Sequence, residues 1–232
     1  MGIRTILAVA AVTLGASVTA AAGAHAAAPV PLGGGSGIVL GSNTACSLTT
    51  IGHDGAGRLV GLTAGHCAPA GTVVAAEKFP AAGPLGTVAF STDGSGLDYA
   101  VIEFDADKVA PVRTVGATTI AGLAPAPGPG AQVCTDGRTT GFNCSLNWGP
   151  FADVSLDQTC SNHGDSGGPV TAGDRLVGML QGMLIGADGV RFDLPCLTAA
   201  FPIHSPTYYR PIDQILAAVN ASGGPGSGYQ PI

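Results

Sequence analysis

An all-β fold is predicted by three features of the sequence. Short apolar runs recur at regular spacing, Gly, Asp and Pro separate them, and no amphipathic helices are interleaved. The chain has 232 residues, 46% of them hydrophobic, which is enough to build a core for one all-β domain or two small ones. Its 37 Gly and 17 Pro follow no G-X-Y period, so a collagen-like rod is excluded. Charged residues make up only 10% of the chain, against about a quarter in ordinary domains. That excludes a highly charged disordered polymer. The formal net charge of −6 argues against nucleic acid as a partner, because binding phosphates calls for clustered cations.

The elements follow in order. Residues 1–27 have one early cation, Arg4, an apolar stretch from Ile6 to Val18, and the small-residue run Ala24-His25-Ala26. This is the form of a secretory signal peptide with a cleavage site. The apolar stretch is shorter than the ~20 residues that span a bilayer, so no permanent membrane anchor is expected and the protein is read as secreted. Residues 28–37 form a Pro/Gly/Ser-rich lead, expected to be flexible. Strands are expected at 46–51, 58–63, 71–78, 85–91 and 99–104, within a first β-unit over 38–123. The run Gly52-His53-Asp54-Gly55-Ala56-Gly57 has hairpin chemistry. The Pro/Gly segment 124–130 cannot form a central strand and reads as a linker. A second unit over 131–210 has strand candidates at 131–135, 153–158, 169–171, 175–184 and 189–194. A helix at 211–221 starts at Pro211, and its stripe of Ile212, Ile215, Leu216 and Val219 is expected to cap the second unit. The tail 222–232 is rich in Gly, Pro and Ser and is expected to be disordered.

Six cysteines lie after the signal: Cys46, Cys67, Cys134, Cys144, Cys160 and Cys196. An even number in an exported chain points to disulfides, with 15 connectivities open. A zinc site fits poorly, since there is no Cys-x-x-Cys pair and no His at finger spacing.

Three motifs carry chemistry. Thr63-Ala64-Gly65-His66-Cys67 puts a histidine at the end of an apolar strand. Gly96-Leu97-Asp98-Tyr99-Ala100-Val101 puts an acid at the entry to another. His163-Gly164-Asp165-Ser166-Gly167-Gly168-Pro169 puts a serine in a glycine-rich bend. A serine hydroxyl is a poor nucleophile until a base takes its proton, and imidazole is suited to that task. A carboxylate then fixes the ring tautomer and stabilises the imidazolium. The expected catalytic residues are therefore His66, Asp98 and Ser166, with the amides of Gly164 and Ser166 as oxyanion hole. Such chemistry calls for no cofactor and no metal. Asp165 is read as structural, with Arg138 as its expected partner, because a buried unpaired charge is costly. Trp148 reads as a packing anchor.

The order His66, Asp98, Ser166, with T-A-G-H-C and G-D-S-G-G-P, resembles the chymotrypsin-like serine proteases. The likeness is nearer to their secreted bacterial branch, which includes α-lytic protease and the streptogrisins. The segment from Cys134 to Cys144, Cys160 six residues before Ser166, and the helix after Tyr209-Arg210-Pro211 support that branch. The resemblance implies two six-stranded antiparallel β-barrels with a C-terminal helix, and a site in the cleft between the barrels. It also implies bridges Cys46–Cys67, Cys134–Cys144 and Cys160–Cys196, and endopeptidase action on a polypeptide substrate through an acyl-enzyme. A specificity pocket formed by His163, Leu180 and Met183 would favour small or medium apolar side chains.

The sequence departs from that pattern at Gln181, where relatives carry serine, and at Met183, where they carry a small glycine. These changes keep open a second reading, a protease-like scaffold that binds without cleaving. A third is the nucleophile elbow of α/β-hydrolases, since Gly164–Gly168 also fits G-x-S-x-G; Asp193 and His204 would then complete a triad.

Overall fold

The computed structural model describes residues 1–2, 28–184, 186–187, 190–191, 194–201 and 203–232. Apart from its first two residues, the signal read at 1–27 lies outside that set, as does Asp193. The fold is mostly β with one C-terminal α-helix, and each half of the chain forms one rolled sheet.

The first half supplies β1 (Val30–Leu32), β2 (Gly37–Leu40), β3 (Thr44–Ser47), β4 (Thr50–His53), β5 (Leu59–Thr63), β6 (Val73–Ala76), β7 (Pro84–Ser91), β8 (Ala100–Phe104) and β9 (Val109–Pro111). Strands β2 to β8 form an antiparallel sheet in the order β4-β5-β8-β7-β6-β2-β3. Its two ends are consecutive in the chain. The run expected as one strand over 46–51 bends at Leu48-Thr49, whose amides bond Ser36 O at 2.9 Å and Leu62 O at 2.8 Å. One length of chain therefore joins the two ends of this seven-strand run, and the sheet rolls around Ile38, Leu48, Val60, Leu62 and Ile102, all essentially inaccessible to solvent.

The second half supplies β10 (Gln132–Gly137), β11 (Gly141–Phe151), β12 (Val154–Asp157), β13 (Pro169–Ala172), β14 (Arg175–Met183) and β15 (Thr207–Pro211). Pairing of β14 with β15 completes a closed six-stranded barrel, β14-β13-β10-β11-β12-β15. Its core is Val133, Val170, Val177, Leu180 and Tyr209. Segment 124–130 has no regular structure and runs between the two halves.

Several expectations are corrected. The lead at 28–37 is not loose: β1 pairs in parallel with β9, and Val30 and Leu32 are buried. The tail at 222–232 is not disordered either. Tyr229 is buried with its hydroxyl 2.8 Å from Thr50 Oγ1, and β16 (Gln230–Pro231) pairs with β4. One buried aromatic ring and one paired edge outweigh the Gly/Ser composition that suggested a loose end. Helix α1 (Ile212–Ser222) ends at Gly223, which adopts the left-handed conformation usual at a helix C-terminus. Its buried face, Ile212, Ile215 and Val219, joins the larger core cluster that includes the first sheet, together with Leu176 and Met179 of the barrel. The helix thus ties the halves together rather than capping the second alone. Trp148, expected as an anchor, is 51% exposed on β11.

Three disulfides are present, Cys46–Cys67, Cys134–Cys144 and Cys160–Cys196. Among the described residues, no helix is long and apolar enough to cross a membrane.

Candidate active site

His66, Asp98 and Ser166 arrive from three separate places in the chain. Strand β5 ends at Thr63, and a single 3-10 turn, Gly65–Cys67, carries His66 out of the first sheet. The Cys46–Cys67 bridge fastens that turn to β3. Asp98 lies just before β8 and has φ +49°, in the left-handed region, within a loop where Asp93, Gly94 and Gly96 also have positive φ. An aspartate tolerates this conformation better than most residues. Its carboxylate receives the His66 backbone amide on Oδ1 at 2.8 Å, and Oδ2 lies 2.8 Å from His66 Nδ1. Burial would raise the Asp98 carboxyl, but the His66 side chain and the backbone amides of His66 and Gly65 outweigh it and hold the group below its usual range. Asp98 is therefore anionic at neutral pH, facing the inner nitrogen of the ring.

Ser166 lies in the bend between β12 and β13, on the barrel. The first sheet holds this bend in place. Ser47 N donates to Ser166 O at 2.9 Å, Ser47 Oγ to Gly164 O at 3.0 Å, and Thr49 Oγ1 to Gly167 O. Gly164 has φ +96°, a conformation that side chains rarely tolerate. Neither the Gly164 nor the Ser166 amide has an acceptor among the described residues. Ser166 Oγ donates to Gln181 O at 3.3 Å, and no hydrogen bond joins it to His66 in this conformation.

His66, Asp98 and Ser166 line one open cleft of about 570 Å³, together with His163, Gln181, Met183 and Tyr208. Burial and the Asp98 charge push the Tyr208 phenol up, so it stays neutral. Of the residues expected in a specificity pocket, His163 stands exposed at the rim and Met183 is half-buried on the wall. Leu180 is not on the cleft wall. It is 1% exposed and packs in the barrel core with Val170 and Tyr209, because adjacent residues on β14 face opposite sides and Gln181 takes the cleft side.

Asp165 is buried, but Arg138 is not its partner. Thr139 N, Thr140 N, Thr140 Oγ1 and Asn162 N all donate to it, at 2.8–3.1 Å. Backbone amides and a hydroxyl thus satisfy the carboxylate, and Arg138 instead pairs with Glu77 of the first half, with Nε 2.7 Å from Oε2. The donors Thr139 and Thr140 lie within the Cys134–Cys144 segment, and being uncharged they carry no charge-partner signal for Asp165.

Gln181, noted as a departure, sends Nε2 to the Asp98 backbone carbonyl at 3.1 Å, while its Oε1 is buried without a partner among the described residues. His204, the candidate base of an α/β-hydrolase arrangement, is buried, with Nδ1 2.9 Å from Ser205 O. The mostly β fold lacks the alternating helices and strands that such an arrangement needs.

The architecture is that of the chymotrypsin-like serine proteases. No family model matches the chain. Serine protease 1 of Rarobacter faecitabidus is 29% identical over 170 residues, which are 67% of this chain and 29% of that protein. The match thus spans less than a third of that relative's length. Among solved structures, Thermobifida fusca protease A superposes with a TM-score of 0.65 at 25% identity, covering 84% of this chain and 98% of its own. Cellulomonas bogoriensis chymotrypsin gives 0.60 at 27% identity, covering 84% and 97%. In sequence and in fold, then, the chain is similar to bacterial proteases of the chymotrypsin type.

Proposed function

We propose that this chain is a secreted serine endopeptidase. Ser166 Oγ attacks the scissile carbonyl of a polypeptide, His66 takes its proton and returns it to the leaving amine, and water then hydrolyses the acyl-enzyme. Asp98 orients the ring and stabilises its charged form, and the amides of Gly164 and Ser166 receive the oxyanion. The observation that carries this reading is the shared cleft, with the Asp98 carboxylate 2.8 Å from His66 Nδ1 and the amides of Gly164 and Ser166 without an acceptor among the described residues. Ser166 Oγ faces the cleft that His66 also lines, and its present contact is with Gln181 O at 3.3 Å. Catalytic hydrogen bonds are commonly longer in a free enzyme than in its substrate complex. Met183 at the entrance favours small or medium apolar side chains, and with Leu180 in the core it is the apolar contact left from the expected pocket. Three disulfides support an oxidising destination outside the cell.

The Ser166–Gln181 contact also favours a second reading, a scaffold that binds polypeptide without cleaving it. Labelling with a fluorophosphonate separates the two. The folded chain should be labelled at Ser166, and His66→Ala should abolish labelling; a folded, unlabelled wild type overturns the protease reading. Profiling against a peptide library then reads the side-chain preference.

A further inference from the structure

The acid of the site belongs to the first half of the chain and the nucleophile to the barrel, so their alignment depends on what crosses between them. Two buried side chains of the barrel reach the loop that carries Asp98, and both end on its backbone carbonyls. Gln181 Nε2 donates to Asp98 O at 3.1 Å, and Arg210 Nη2 donates to Gly96 O at 3.1 Å. Arg210 is 7% exposed at the end of β15. Its other terminal nitrogen donates to Asp153 O at 2.9 Å and pairs with the Asp153 carboxylate. The guanidinium therefore has one end fixed on the barrel and the other on the acid loop.

The loop itself is a poor foundation. Asp93, Gly94, Gly96 and Asp98 all have positive φ, and its internal bonds, Ser95 N to Thr92 O and Asp98 N to Ser95 O, are local. The loop is closed at its base by Thr92 N to Tyr99 O at 3.1 Å and Tyr99 N to Thr92 Oγ1 at 3.0 Å, and between those ends the contacts that reach another part of the chain carry its position. Gly96 O and Asp98 O lie on either side of the turn into the carboxylate-bearing residue. Fixing both carbonyls holds the backbone from which the Asp98 side chain reaches His66 N and Nδ1, each at 2.8 Å.

We infer that Arg210 is a positioning residue: it holds the Asp98 loop to the barrel through Gly96 O and so sets the orientation of the His66–Asp98 pair relative to Ser166. Gln181 does the same at the carbonyl two residues on, Asp98 O, which gives a role to the residue that departs from its relatives. This inference rests on the protease reading above. Arg210 touches no reacting atom, and its effect passes entirely through Asp98.

The test uses the full chain and measures the second-order rate of fluorophosphonate labelling at Ser166, with peptide hydrolysis alongside. Arg210→Met keeps much of the side-chain volume and removes both ties. Labelling and kcat should fall by up to about 100-fold, the scale of a misplacement near 1 Å, with KM within about twofold. Arg210→Lys, which can reach one carbonyl, should recover part of the loss. Asp153→Asn removes the outer ion pair but leaves the Gly96 contact, so its rate should stay near wild type. In an Asp98→Asn background, Arg210→Met should add little, since the group it orients has lost its function.

Three results would overturn the inference while leaving the protease reading intact. These are an Arg210→Met rate equal to wild type below its melting temperature, a full additional loss in the Asp98→Asn background, or a Tm drop without any change in rate. If Arg210→Met fails to fold, Gln181→Leu tests the same alignment through the second carbonyl, and an unchanged rate there counts against it. An unlabelled wild type would instead overturn the protease reading itself.

Discussion

Asp157 ends strand β12 with its side chain wholly out of solvent. Oδ1 accepts from the Thr159 amide at 2.7 Å and from the hydroxyls of Thr159 and Thr207, whereas Oδ2 has no partner among the described residues. Burial pushes the carboxyl above its ordinary 3.8, and the Thr159 and Thr207 donors and the nearby His204 offset this only in part. The folded chain therefore holds this proton at pH values where the unfolded chain has released it. Stability from this group is undiminished below the unfolded pKa and falls as pH rises through the window up to the folded pKa. The slope for one group is about 1.4 kcal/mol per pH unit.

Asp157→Asn keeps the Oδ1 acceptor, replaces the orphan oxygen with an amide, and does not titrate. The variant's standing should be lowest near pH 3.5, where the protonated carboxyl presents one O–H against the amide's two N–H donors, and it should gain on the wild type as pH rises. Each pH unit within the window corresponds to about 1.4 kcal/mol, or roughly 3–6 °C in Tm for a domain of this size. Both proteins should carry Ser166→Ala to prevent self-digestion, and be melted from pH 3.5 to 8 under non-reducing conditions. Taking the difference between the two curves cancels every other titrating group. A difference that stays flat with pH, or a wild type that gains on the variant as pH rises, would refute the argument.

Three further outcomes follow from contacts described above. Gly137→Ala would place a methyl 2.2 Å from Asp165 Oδ1, a carboxylate already held by four donors, so a stability loss of about 1–3 kcal/mol in urea is expected, with slower labelling of Ser166. Arg138→Met should leave labelling unchanged and lower stability by less than about 1 kcal/mol, because Arg138 pairs with Glu77 at the surface; a large loss of labelling would restore the pairing with Asp165. Tyr229→Phe removes the buried bond to Thr50 Oγ1 and should cost about 1–2 kcal/mol by chemical denaturation; no change would mean the tail does not hold its place.

Much of the site was legible because its motifs are local. Gly-rich bends, a histidine after an apolar strand and an acid before one are each specified within six or seven residues. What crosses between the halves was not legible. Arg210 and Gly96 are 114 residues apart, and Arg138 and Glu77 are 61 apart, and no local pattern encodes either pair. The fold class followed from alternating runs and turn residues, but β11 escaped notice. Gly149 and Pro150 look like breakers, and its large apolar residues Phe142, Leu146 and Trp148 face outward, the reverse of the usual pattern. Leu180 was misplaced for a similar reason. Without the register of β14, an apolar residue beside the site could equally face the cleft or the core.

The final strand changes how the molecule meets its neighbours. Gln230–Pro231 lies along the outer side of Thr50–His53, covering backbone donors and acceptors that would otherwise be a template for a foreign chain. Proline has no N–H to offer a further strand, so the border it creates is blunt. Removing these last few residues should therefore make the protein stickier at high concentration, through edge-to-edge association, even where the cleft is untouched.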